Sequence, residues 1–176
     1  HLQFTNIIRN VSGIMFMVMM AFASLAVHLV SNLIGAGNIN CVPGTIRQHI
    51  RIAYAFVLPF AIFFALFPKL ILSVYTDMPE LQEAAVPSLW VLCSALSVLV
   101  PANVYFQSVS GTGNTRTALA LEMITLVVYT CYITYIVAYL KLDVAFAWTS
   151  EIVYSIGILV LCYFYMKKGT WSLKKI

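Results

Sequence analysis

Two apolar runs, each long enough to cross a bilayer, meet at a turn of six polar or small residues within PANVYFQSVSGTGNTRTALALE, residues 101–122. Glycine permits the left-handed backbone that a tight reversal needs, and Asn114 or Thr115 can cap the following helix by accepting its free N–H groups. The stretch from Gly111 through Thr112, Gly113, Asn114 and Thr115 to Arg116 therefore predicts a helical hairpin. Arg116 stands at the mouth of the second helix, with the carboxylate of Glu122 roughly two turns further in. Charged groups at lipid depth are costly, so they are tied to function or to a buried partner.

Apolar residues make up 62% of the chain and charged residues 9%, where soluble domains carry about 25% charged. A soluble fold would need a core large enough to hide several apolar runs of about 20 residues. The composition therefore predicts an all-α integral membrane protein. The net charge of +4 does not indicate nucleic acid, because the basic residues lie scattered at the ends of apolar runs. Cys41, Cys93, Cys131 and Cys162 have no metal-ligand spacing, and no nucleophile with its base, metal cluster or paired carboxylates is visible. No enzyme chemistry, metal or cofactor is expected. His1 leads almost directly into an apolar run, with neither a starting Met nor a signal-peptide pattern, so the expectation is a piece of a longer chain.

Five spans are expected, over residues 7–34, 52–72, 84–110, 118–140 and 144–166, followed by a basic tail, 167–176. The first is rich in Met and small residues, which allow close helix approach, and His28 near its end reads as an interhelical hydrogen-bond partner. Gly35, Gly37 and Asn38 can all take positive φ and stop it. Pro43 and Gly44 are then expected to break the chain, with Thr45 capping a surface-lying stretch that carries Arg47 and Arg51. In the second span Pro59 predicts a kink and a freed carbonyl, and Lys69 can snorkel to the headgroups. Thr76 or Asp77 is the expected cap of the third span, with Pro79 and Glu80 in its first turn. Pro101 is expected to break that span beside Asn103, Tyr105 and Gln107, which either form a polar spot facing a cavity or bond neighbouring helices. The turn Lys141-Leu142-Asp143 leads to the fifth span, which holds Trp148 and Glu151.

Counting Lys and Arg on alternate sides puts Arg47, Arg51, Arg116, Lys167, Lys168, Lys174 and Lys175 together, against Lys69, Lys141 and Arg9. The positive-inside rule then predicts a cytoplasmic C-terminus, in a plasma membrane (the inner membrane in a bacterium).

Three motifs occur in order: LVSNLIGAGN closing the first span, the loop LSVYTDMPEL, and the turn VSGTGNTRTAL. With the tail KKGTWSLKK, this series resembles one lobe of the MATE (multidrug and toxic compound extrusion) transporters, over nearly the whole chain. The matching positions include Gly35, Gly37, Asn38, Asp77, Pro79, Gly111, Gly113, Asn114 and Arg116, read as hinges and caps. Ser31-Asn32 stands where the family usually has Gly-Gln, Asp77-Met78 where it has Asp-Asp, and Gly111-Thr112-Gly113-Asn114 where it often has Gly-Ala-Gly-Asp. The resemblance implies a six-helix lobe of which this chain supplies the last five helices. The lobe's first helix and an N-terminal lobe are then partners outside the sequence.

The resemblance also implies a secondary active exporter that couples Na⁺ or H⁺ entry to extrusion of small organic cations. A lipid or polysaccharide flippase of the wider superfamily and a non-transporting membrane fragment are the rivals. Glu122 and Glu151 are the acidic residues at lipid depth, so they are the candidate ion or substrate groups, with Asn103, Tyr105 and Gln107 beside them. Glu122 pairing with Arg116, or snorkelling to the surface, is the structural alternative. Helix rise places the two carboxylates at heights differing by roughly 8 Å.

Overall fold

The computed structural model describes residues 2–140, 148–169 and 171. Among the described residues, five helices are long and apolar enough to cross a membrane. Helix α1 spans Leu2–Gly35, α2 Val42–Leu66 after a 3₁₀ turn at Ile39–Cys41, and α3 is the short Pro68–Ser73. Helix α4 spans Pro79–Gly111, α5 Thr115–Thr134 with a π-helical extension through Tyr135–Leu140, and α6 Thr149–Lys168. The expected turn at 141–143 and the start of the fifth span at Val144 lie outside the described residues.

Helix α1 ends because its last carbonyls are taken by the chain folding back. The Gly37 N–H donates to the Ile34 carbonyl at 3.0 Å and the Asn38 N–H to the Leu33 carbonyl at 2.8 Å, the double closure of a Schellman motif. Of the three residues expected to take positive φ, Gly37 does so at +77°, while Gly35 is still helical and Asn38 sits at −88°.

The expected surface stretch and second span are one helix. Pro43 lies in the first turn of α2, where its missing N–H costs nothing, so it starts the helix instead of breaking it; Thr45 makes no cap. Arg47 and Arg51 are thus on the span itself. The far end is also corrected. Pro68 restricts Phe67 to φ −120° and ψ 51°, so α2 stops at Leu66 and the expected continuation to Leu72 is the separate α3. Lys69 on α3 pairs with Glu83 on α4 at 3.1 Å in an exposed salt bridge. His28 is exposed, and His49 instead makes the interhelical bond, its Nε2 lying 2.7 Å from the Phe22 carbonyl.

Helix α4 is the axis of the bundle. It packs against every other helix and supplies residues to each of the three buried clusters: Val104 and Val109 in one, Leu96 and Leu99 in the second, Ala85 and Leu92 in the third. Its 33 residues rise about 50 Å. It begins at Met78 without a side-chain cap, so neither Thr76 nor Asp77 caps it. Thr76 fixes the loop, accepting the Met78 N–H on Oγ1 at 3.3 Å and Gln82 Nε2 on its carbonyl at 2.8 Å.

The expected break at Pro101 is absent: α4 runs helically through Pro87 and Pro101. Proline at 101 removes the N–H that would bond the Ser97 carbonyl four residues back. The phenol of Tyr54 on α2 donates to that carbonyl instead. In the same way Trp90 Nε1 donates at 3.2 Å to the Ala65 carbonyl in the last turn of α2. Helices α4 and α1 come close at Gly111, where a Cβ would meet the Val27 carbonyl oxygen at 2.8 Å. Ser31 Oγ donates to the Gly111 carbonyl across the same gap at 2.9 Å.

Tyr54→Phe, which leaves the Ser97 carbonyl without its donor, is expected to destabilise the protein by about 1–3 kcal/mol. In a Pro101→Ala background, where a helical N–H is restored, the same substitution should cost much less. Thermal unfolding of the four variants in detergent measures both; equal costs in the two backgrounds would contradict the assignment.

Candidate ion and substrate site

Helices α5 and α6 run antiparallel, and their contacts set the frame for the two carboxylates. Asn114 Nδ2 donates to Tyr165 Oη at 2.6 Å near one end. Near the other, Tyr132 Oη and Thr149 Oγ1 are 3.1 Å apart. Between them the rings of Tyr129 and Tyr154 meet edge to face at 6.1 Å, and a Cβ at Gly157 would touch the Thr125 methyl at 3.2 Å. Hydroxyls here satisfy the backbone locally, as Thr125 Oγ1 donates to the Leu121 carbonyl at 2.9 Å and Ser155 Oγ to the Glu151 carbonyl at 2.5 Å.

Glu122 is half-buried on α5, one turn before Thr125. Glu122 and Arg116 form no ion pair, and Arg116 is exposed. Glu151 is half-buried too, but in the first turn of α6, nearer that end than a span from Val144 would place it. By the α5/α6 register the carboxylates differ in height by about 12 Å, not 8 Å. They do not meet. Tyr154, one turn from Glu151, packs in the α5/α6 contact against Tyr129.

The three polar residues of α4 do not converge. Asn103 Nδ2 donates to the Leu99 carbonyl of its own helix at 3.0 Å and lies 3.8 Å from Met19 Sδ on α1. Tyr105 is turned roughly half-way round the helix and packs edge to face on Tyr163 of α6 at 5.7 Å. Gln107 is half-buried one turn beyond Asn103. Asn103 thus lies toward α1 and Tyr105 toward α6. A small cleft between α1 and α4 is apolar except for Ser12, with Met15, Phe16, Leu92, Leu96 and Leu99 around it.

The turn motifs behave as structure. Gly113 takes φ +77°, and Thr112 Oγ1 donates to the Val109 carbonyl at 2.7 Å. Asn114 occupies the N-cap position of α5 without capping it, because its side chain reaches Tyr165 instead; Thr115 is the first helical residue and does not cap either. Asp77 is exposed, and Pro79 opens α4 as expected. Sequence reasoning missed Tyr54, Tyr154 and Tyr165, since tyrosines in an aromatic-rich chain carry no mark of their partners. It also missed Trp171. That indole is buried and donates from Nε1 to the Met166 carbonyl at 2.9 Å, while Gly169 at φ +69° ends α6 two residues later than expected.

With five apolar helices and the paired turns in place, the sequence profile of the MatE family matches residues 4–140. The chain belongs to the MatE family. It is a MATE-type membrane transport protein by family and by its five spans. Among proteins of curated function and among solved structures, nothing matches.

The Asn114–Tyr165 bond joins the 112–114 turn to the last helix. A double-mutant cycle with Asn114→Ala and Tyr165→Phe is expected to give a coupling energy of about 0.5–1.5 kcal/mol in detergent unfolding. Strict additivity would show that the contact contributes nothing.

Proposed function

We propose that the chain forms part of a secondary active exporter that couples inward movement of Na⁺ or H⁺ to extrusion of small organic, often cationic, compounds. The observation that carries this reading is a pair of half-buried carboxylates, Glu122 and Glu151, on adjoining helices of an otherwise apolar bundle from a transporter family. A carboxylate held there can take a cation in one conformation and release it in another, which is what antiport requires. Asn103, Tyr105 and Gln107 are the further candidates for substrate contact, and the first helix of the lobe and a second lobe would complete the cavity. The Lys and Arg asymmetry supports a plasma-membrane orientation with the Gly35–Asn38 turn, the 112–114 turn and the C-terminus in the cytoplasm.

Ethidium efflux from cells expressing the full-length protein tests the reading. Glu122→Gln and Glu151→Gln are each expected to reduce efflux to near background with membrane expression unchanged. Efflux at the parental rate in either variant would remove that residue from the mechanism.

A further inference from the structure

Arg47 and Arg51 stand one turn apart on α2, and both are exposed. A spacing of three or four residues keeps positions on one face of a helix, so Ala55, Leu58 and Ile62 continue the same line. All three are exposed, while Ile46, Ala53 and Val57 carry the buried side of the helix. The line therefore faces away from the bundle, two guanidinium groups followed by a narrow apolar stripe.

Its depth in the membrane gives the pair a demand to meet. Both arginines lie within the candidate span Ile39–Leu66, and the uncharged residues 52–66 beyond them rise about 22 Å, against a hydrocarbon core of about 30 Å. Arg51 is therefore not carried clear of the headgroups, and Arg47 stands about 6 Å further out. A cation that faces lipid at this level needs a counter-charge. The described protein does not supply one. Lys69 and Glu83 form their ion pair at the far end of α2, and neither arginine is paired with a described carboxylate. Glu80 and Glu151 also lie toward that far end, in the first turns of α4 and α6, and Asp77 is in the loop beside them. The near end adds exposed Arg116, Lys167 and Lys168, which deepen the positive charge.

We propose that the Arg47–Arg51 pair seats the headgroup of an acidic phospholipid, with the phosphate on the two guanidinium groups and an acyl chain along Ala55, Leu58 and Ile62. Guanidinium offers paired N–H donors that match phosphate oxygens. Two positive charges without a carboxylate favour a headgroup of net negative charge over phosphatidylcholine, whose choline brings a positive charge of its own. The apolar stripe argues for lipid over free phosphate, since a bare anion gains nothing from it. The seat stands independently of the exporter reading.

The test titrates dioleoyl phosphatidylglycerol into the full-length protein in a neutral detergent and reads bound lipid by native mass spectrometry. The wild type is expected to bind it in preference to dioleoyl phosphatidylcholine. Arg47→Gln and Arg51→Gln should each weaken that binding about fivefold. Arg9→Gln, an exposed cation near the opposite end of α1, should leave it unchanged, and glycerol 3-phosphate at equal concentration should not displace the lipid. Equal binding of the two lipids, wild-type affinity in both α2 variants, or displacement by glycerol 3-phosphate would overturn the seat. If the α2 variants fail to fold, the wild type decides: phosphatidylglycerol with a diazirine in its acyl chain should label residues 55–62 on irradiation, and labelling confined to other helices would overturn the assignment.

Discussion

Backbone N–H and C=O groups at bilayer depth find no water, so each must be bonded within the protein. Helix α4 meets that demand even though it carries Pro87 and Pro101 in its interior and runs unbroken from Pro79 to Gly111. Tyr54 supplies the donor that Pro101 withholds from Ser97, and Ser31 reaches the Gly111 carbonyl near the helix end. Trp90 returns the favour to the end of α2 at Ala65. These bonds do more than satisfy atoms. They fix α2 and α1 in rotation and height against the central helix.

The rest of the architecture follows from that axis. Small residues let backbones approach where packing replaces the hydrophobic effect, most clearly at Gly111 against Val27. Outer faces carry exposed apolar side chains such as Met17, Phe56, Ile62 and Val127, as a lipid solvent allows. Helix α5 is the least buried span and is tied mainly to α6, through Asn114, Thr125, Tyr129 and Tyr132. Glu122 lies within this polar-studded seam, so the helix with the loosest packing carries one of the two membrane-depth carboxylates. That placement is compatible with a site that must change its surroundings during transport.

Much of the fold was legible because it depends on one-dimensional signals. Apolar run length marked the five spans, and the glycines at 37 and 113 marked the reversals. Prolines were harder to read. Pro43 starts a helix, Pro68 ends one and Pro101 interrupts nothing, since the outcome depends on position within the helix and on whether a neighbour can replace the lost donor. The candidate site was legible only in its carboxylates. That Asn103 and Tyr105 face different helices follows from their two-residue spacing, whereas the choice of Tyr54, Tyr154 and Tyr165 as partners depends on interhelical register, which local sequence does not encode.

The continuity of α4 is the claim on which the arrangement stands, and amide hydrogen exchange in lipid nanodiscs tests it most directly. Slow exchange from Leu89 to Ser108, with no gap just after Pro101, is the result this account predicts. Rapid exchange of the amides at 102–105, marking a helix that opens at Pro101, would contradict it.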